Sequence, residues 1–249
     1  MVLIGAGCTG AVAAIAMVAA WLVDRWVPAA RREANNEVAG MLFSIIGVVY
    51  AILLTFVTIA VWETSSAAED STRNEAHALL EVNRYGVELA DGGNLQALVR
   101  RYATVVIGDE WPRLQAGEDI SGDGARLIDA MWAGVDGHEA ATDSAVLRQA
   151  EVRAVLRELG EAREVRLSTA TSGLPVTIWG ALIASSVLVV VNSLLFGVPG
   201  RGSYVAMVGI LAAVSALLLY TVYQLEFPFQ RGEQIGPDVF DGVLHLLTP

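Results

Sequence analysis

Residues 39–62 read AGMLFSIIGVVYAILLTFVTIAVW, a run that contains no Asp, Glu, Lys or Arg. A bilayer core about 30 Å thick needs roughly 20 predominantly apolar residues in a helix that rises about 1.5 Å per residue. This run is therefore long enough and apolar enough to cross a membrane. Three further runs pass the same test, so the sequence predicts four spans, at residues 2–23, 39–62, 174–196 and 204–225.

The charge lies mainly between the second and third spans. The chain has a formal net charge of −11, and residues 63–173 carry about −9 of it, from about 20 acidic residues against 11 arginines. Such a segment belongs in water. We expect an all-α membrane protein with four transmembrane helices in two pairs and a helical, water-exposed domain between the second and third. The expected parts are a first helix pair (1–62), an acidic extramembrane domain (63–173), a second helix pair (174–225) and a C-terminal tail (226–249).

Several other classes of protein find no support in the sequence. The acidic balance disfavours nucleic acid, which attracts clustered positive charge. No G-x-S-x-G, Walker, H-E-x-x-H or calcium-loop motif is present, so we expect neither catalysis nor a cofactor. Cys8 is the only cysteine, and His77, His138 and His245 lack ligand spacing, so no metal site is predicted. Basic residues follow the first span instead of preceding it, which favours a retained span over a secretory signal.

The second span has no sequence signal that ends it at the membrane surface. Neither glycine nor proline occurs between Val48 and Tyr85, so the helix is expected to continue to about Asp91, before Gly92 and Gly93. Further helices are expected over about 94–114, 125–135 and 143–172. Beyond the fourth span, the segment Phe227-Pro228-Phe229 is expected to dock at the membrane edge or against the helical domain, with a turn at Gly232.

A stripe of small and hydroxylated residues follows one face of the second span. Its members recur every three or four positions, and they are Ser44, Gly47, Ala51, Thr55 and Thr58. Small residues let membrane helices pack closely, and the same stripe would also suit a water-filled conduit between several copies. Both interpretations remain open, and they are compatible in an oligomer.

Polar residues near the spans add two weaker candidates. Glu63, just beyond Trp62, would form an acidic ring if several copies met around an axis, and such rings attract cations. A solvated acidic face is the alternative. Asn192 and Ser193 are the most polar pair within a span, and they suit either a hydrogen bond to a neighbouring helix or a contact with an ion.

Particular residues carry a resemblance to a known family. They include Asn36-Glu37 before the second span, Gly47 to Phe56 within it, Trp62-Glu63, Glu75-Ala76, Tyr102, Asp109-Glu110-Trp111-Pro112, Arg163, Arg166-Leu167, Leu174-Pro175, Trp179, Phe227-Pro228-Phe229, Gly232 and Pro237. This pattern resembles a bacterial family of bestrophin-like membrane proteins, and it covers nearly the whole chain. The resemblance implies four spans and a distant relation to bestrophins, pentameric ion channels whose second helix lines the pore. The acidic calcium-binding run of true bestrophins and their aromatic neck are absent from this sequence.

Together these patterns predict a homo-oligomeric ion channel in the cell membrane. The second span would line the axis, ions would pass with a preference for cations, and the partners would be the lipid bilayer and copies of the chain, five by resemblance. The alternative is a non-conducting scaffold or sensor whose acidic domain binds a partner or a metal ion. Short loops containing Arg25, Arg31, Arg32 and Arg201 are expected in the cytoplasm, which favours an acidic domain outside. The resemblance to bestrophins implies the opposite, a domain in the cytoplasm.

Overall fold

The computed structural model describes residues 2–88, 93–137, 142–231 and 235–247, and the regular structure in those ranges is helical. The helices are α1 (Val2–Trp26), α2 (Ala29–Glu33), α3 (Asn36–Glu88), α4 (Gly93–Val105), a π-helical turn (Val106–Glu110), α5 (Trp111–Ala116), α6 (Asp123–Asp136), α7 (Asp143–Thr171), α8 (Val176–Ser193), α9 (Arg201–Leu225) and α10 (Asp238–Leu247). Four of them, α1, α3, α8 and α9, are long and apolar enough to cross a membrane.

The chain divides into two compact units. The span unit comprises Met1–Trp62 and Gly173–Glu226, and the acidic unit comprises Glu63–Ser172 and Phe227–Pro249. Helix α3 contributes to both, since it is 53 residues long and its helical structure runs without interruption to Glu88. The predicted continuation of the second span beyond the membrane length is therefore present. Its predicted end near Asp91 lies outside the described residues.

Within the span unit, α1 and α9 approach each other closely. A Cβ atom on Gly209 would lie 2.6 Å from Cγ of Met17, and one on Gly5 would overlap the ring of Tyr220. Ala20 is fully buried in the same region. Small residues thus permit the contact between these two helices, as is common where helices pack in membranes.

Helices α3, α8 and α9 share a second cluster of buried side chains. Tyr50, Leu54 and Val57 of α3 pack in it with Leu182 of α8 and Val222 of α9. These three α3 positions recur at helical spacing, so one face of α3 is covered by its own chain.

The loops at one end of the span unit are joined by polar contacts. The side-chain amide of Asn36 donates to the carbonyl oxygen of Gly197 at 2.9 Å and accepts from its N–H at 2.8 Å. Asp24 binds both Arg32, at 2.6 Å, and Arg201, at 2.7 Å. Two of the four arginines that set the predicted orientation, Arg32 and Arg201, are therefore paired with a carboxylate in the last turn of α1.

The acidic unit has a core of its own, to which the C-terminal tail contributes. Phe229 and Phe240 are fully buried and lie against Trp111, with ring centroids 5.6 and 5.8 Å away. The Trp111 indole N–H donates to the carbonyl oxygen of Ile235 at 3.1 Å. Of the two predicted positions for the tail, the structure shows the one against the helical domain. Gly232, the predicted turn, lies outside the described residues.

Two local features differ from the sequence-based expectations. The single helix expected over about 94–114 is divided by the π-helical turn. Helix α7 begins at Asp143, as expected, and it is capped by Thr142, whose hydroxyl accepts from the Ala145 N–H at 3.2 Å. Helix α10 was not expected, although Phe240, Val243 and Leu247 follow Pro237 at helical spacing.

Candidate functional site

The hydroxyl groups of the α3 stripe are bonded to the helix itself. Ser44 donates to the carbonyl oxygen of Gly40 at 2.9 Å, Thr55 to that of Ala51 at 2.7 Å, and Thr58 to that of Leu54 at 2.8 Å. Each hydroxyl has one hydrogen and two lone pairs. With the hydrogen directed to the backbone, each oxygen presents only acceptor capacity to its surroundings. A row of such oxygens suits water or a cation better than an anion.

The stripe is not covered by the rest of the chain. Ser44, Ala51 and Thr55 are exposed, and Gly47 and Thr58 are half-buried. In the part of the chain that the structure describes, no atom outside the backbone of α3 itself lies within 4 Å of a Cβ placed on Gly47. Close packing inside one chain therefore does not explain why these positions are small.

Glu63 does not continue the stripe. It is exposed. At about 100° per residue, however, it lies about 120° around α3 from Ala51. The structure thus places the five small and hydroxylated residues on one line and Glu63 on a different face of the helix.

Asn192 and Ser193 are buried near the end of α8. The Ser193 hydroxyl donates to the carbonyl oxygen of Val190 at 2.6 Å, within its own helix. Asn192 is 5% exposed, and its Oδ1 has no hydrogen-bond partner among the described residues. The interhelical hydrogen bond expected for this pair is therefore not made by Oδ1.

The densest group of charges lies in the core of the acidic unit, and we call it the buried ion network. It consists of Glu75 on α3, Tyr102 on α4, Glu110 in the π-helical turn, and Arg163 and Arg166 on α7. Arg166 binds Glu75 through two hydrogen bonds of 2.6 and 3.0 Å and binds Glu110 at 2.8 Å. Arg163 reaches both carboxylate oxygens of Glu110 at 2.7 Å, and Tyr102 donates to Glu75 at 2.6 Å.

The network balances two positive charges against two negative charges in a space closed to water. Glu75 and Arg166 have no exposed surface. Burial acts to raise the pKa of Glu110, but hydrogen bonds and charge from Arg163 and Arg166 outweigh it and hold that pKa below its ordinary value. Burial and the charge of Glu75 raise the pKa of Tyr102, so its hydroxyl keeps its proton and remains a donor.

Two further elements shape the network. Helix α6 passes close to it at Gly124, where a Cβ atom would lie 2.5 Å from NH1 of Arg163. The guanidinium of Arg166 lies over the rings of Trp111 and Phe240, with Cζ 5.3 and 6.0 Å from the ring centroids. Arg166 is thus fixed by two carboxylates and two aromatic rings.

Comparison with known proteins assigns the family. The family model described as the bestrophin-like domain matches residues 10–240 of the chain. The chain belongs to the bestrophin-like family. Among curated proteins, none matches this bestrophin-like sequence.

Solved structures show the same fold. A bacterial bestrophin homologue from Klebsiella pneumoniae, in a form with one substitution, has a TM-score of 0.68 at 13% identity, over 95% of this chain and 99% of that one. Another structure of the Klebsiella pneumoniae homologue has a TM-score of 0.65 at 14% identity, over 94% and 96% of the two chains. A protein described only as a membrane protein gives a TM-score of 0.68 at 14% identity, over 94% and 97%. This chain is therefore a bestrophin-like membrane protein with the bestrophin fold.

The buried ion network joins residues that sequence analysis had matched to the family pattern one by one. Its partners are far apart along the chain: Tyr102 lies 27 positions from Glu75, and Arg166 lies 91 positions from it. No local spacing rule connects them. The available signal was a set of arginines and acids on helix faces that were otherwise apolar.

Proposed function

We propose that this bestrophin-like protein is a homo-oligomeric ion channel of the cell membrane in which copies of α3 surround the conducting path. The observation that carries the proposal is the uncovered stripe on α3. One face of the helix packs against α8 and α9, while the adjacent small and hydroxylated face is left open by its own chain. The family implies association into a ring of five, in which this open face would meet the axis.

The same stripe supports a preference for cations. The oxygens of Ser44, Thr55 and Thr58 have given their hydrogens to the backbone and present lone pairs only. Glu63 lies on a different face of α3 from the stripe, but it and the other exposed acids of α3 add negative charge beside the proposed path, and this charge raises the local concentration of cations.

The proposed arrangement has four helices in the bilayer as two pairs and the acidic unit in water, outside the cytoplasm. The acidic unit supports this, since it has the charge and the separate core of a water-exposed domain. The side of the membrane on which the acidic unit lies can be tested with a single cysteine. It replaces Glu158, an exposed residue of α7, in the Cys8→Ser background. Labelling of intact cells by a membrane-impermeant maleimide is expected, and labelling only after lysis would reverse the orientation.

The conducting path is tested by narrowing it at one position. Thr55→Leu replaces an exposed hydroxyl with a bulky apolar group, which is expected to lower unitary conductance because apolar constrictions exclude water. Val49→Leu is the matched control, since Val49 is exposed on the same helix and lies about 120° around it from Thr55. Currents are measured in planar bilayers with purified oligomer. Equal conductance in the two variants would remove the stripe from the path.

Selectivity is tested separately with Glu63→Gln. The reversal potential under a salt gradient reports cation preference, and loss of the Glu63 charge should move that potential toward zero. An unchanged reversal potential would mean that Glu63 does not contribute to ion selectivity. The proposed cation preference would then rest on the stripe alone.

A second candidate function is a non-conducting scaffold or sensor. An open groove of about 670 Å³ between α3 and α7 in the acidic unit favours it, because Asp70, Glu81, Glu158 and Glu161 line its walls. Absence of current in the parent protein, across voltages and ions, would select this function over the channel.

A further inference from the structure

We propose that the Glu75–Arg166 pair is the positioning contact that fixes the acidic-unit part of α3, and through it the path that copies of α3 surround. The consequence for ion flow rests on the proposed channel function. The positioning itself concerns only contacts inside the acidic unit. Glu75 and Arg166 are therefore positioning residues, and neither is proposed to touch an ion.

The first step is what holds this part of α3. Around Glu75 its inner face carries small or hydroxylated side chains, Ala68, Ser71, Thr72 and Ala76, and larger apolar side chains follow only after it, at Leu79, Val82 and Tyr85. The hydroxyls of Ser71 and Thr72 both donate to the Ala68 carbonyl, within α3 itself. Glu75 extends from the same face to bind α4 through Tyr102 and α7 through Arg166.

The second step is the freedom of α3 on its other side. There the groove of about 670 Å³ separates α3 from α7, and small side chains such as Ala67, Ala78 and Ala162 line it. Acidic residues stand on both walls, so closing the groove would bring like charges together. The Glu75–Arg166 pair draws the helices together while the groove acids oppose closure, and the balance sets the separation.

The third step is that Arg166 cannot move together with α3. Arg166 is held at the same time by Glu110, at 2.8 Å, and by the rings of Trp111 and Phe240. A bidentate arginine–carboxylate contact fixes orientation as well as distance. Movement of Glu75 relative to the core would therefore break the contact instead of carrying Arg166 along.

The fourth step is that stability alone does not account for the pair. A buried ion pair adds little over well-packed apolar residues of the same size, whereas removal of one partner is strongly destabilising. Replacing both partners together avoids an unpaired buried charge, so a change in the position of α3 can be distinguished from a loss of stability. The informative variant is Glu75→Leu with Arg166→Met, and Asp136→Leu with Arg153→Met is its control, because that pair joins α6 to α7 at 2.7 Å but is exposed.

The position of α3 is read by electron spin resonance between two labels across the groove. In the Cys8→Ser background, cysteines replace His77 on α3 and Glu161 on α7, both of which line the groove. The Glu75→Leu/Arg166→Met variant is expected to fold, with a melting temperature lowered only by the hydrogen bond that Tyr102 loses with Glu75, while the distance between labels shifts or splits into two peaks. Unitary conductance should change with it. The control pair should leave both readouts at parent values.

Each result either supports or overturns the positioning role of the Glu75–Arg166 pair. A stable double variant with the parent's label distance would overturn the proposal. A changed distance in a protein that passes no current in any form would uphold positioning and reject the channel function. If the double variant does not fold, Glu75→Asp keeps the charge on a side chain shorter by one methylene. It should draw α3 toward Arg166, and an unchanged distance there would also overturn the proposal.

Discussion

Gly124 lies so close to Glu110 that a single added carbon would overlap the carboxylate. The same carbon would lie 2.5 Å from NH1 of Arg163, which binds Glu110. Backbone in the first turn of α6 therefore forms one wall of the buried ion network. The backbone of Gly124 does not have a positive φ. Glycine is therefore needed here because of the limited space and not because of the backbone conformation.

Gly124→Ala is expected to lower the free energy of unfolding by about 1–3 kcal/mol, because the methyl group must displace a fixed ion pair. Gly134→Ala in the same helix is the control, since no atom of the described residues outside the α6 backbone lies within 4 Å of its added Cβ. That change should be neutral or stabilising by up to about 1 kcal/mol, as alanine favours helix. Thermal unfolding in detergent compares them, and equal melting temperatures would contradict the packing described.

Stability should fall in acid through Glu110. Its pKa in the folded protein lies below the ordinary value, so its contribution is complete above about pH 4.3 and is lost as pH falls through the lowered pKa. Glu110→Gln should flatten that part of the curve of unfolding free energy against pH. A remaining slope is expected from Asp109, whose pKa is lowered by hydrogen bonds from Ser121 and Arg113. An identical curve for the variant would contradict this assignment.

The sequence predicted the spans because membrane insertion depends on local composition, which a run such as residues 39–62 displays directly. The uninterrupted α3 followed from the absence of glycine and proline after Val48. The buried ion network could not be predicted, because it joins Glu75 to Arg166 across 91 positions and depends on how α3, α4 and α7 pack. The sequence also indicated the stripe on α3. It did not indicate that the stripe is exposed, because exposure depends on which face of α3 the other helices cover.

The close approach of α1 and α9 gives a prediction for the span unit. Gly209→Val should push Met17 aside and cost about 1–3 kcal/mol. Gly10→Val on α1 is the control, because its Cβ would meet open space while the substitution has the same intrinsic helix cost. Thermal stability in detergent measures both, and a larger loss for Gly10→Val would show that the helices do not meet at Gly209.

The tail gives a prediction for the acidic unit. Phe229→Ala removes a fully buried ring that packs on Trp111, and it should cost about 3–5 kcal/mol. Phe227→Ala should lower the free energy of unfolding by less, since Phe227 is only half-buried. Its ring is covered by the guanidinium of Arg231, with Cζ 4.5 Å from the ring centroid. Unfolding monitored by tryptophan fluorescence tests the order of the two. Equal losses would argue against the position of Phe229 in the core.

The amide of Asn36 binds a glycine that the ribosome makes 161 residues later. At a synthesis rate of about 5–20 residues per second, roughly 8–32 s pass between the two. The first two spans therefore enter the bilayer before the helices that complete their packing exist, and the whole of residues 63–172 is made in between. Until Gly197 is made, the side-chain amide of Asn36 lacks the two hydrogen bonds that join it to the later part of the chain.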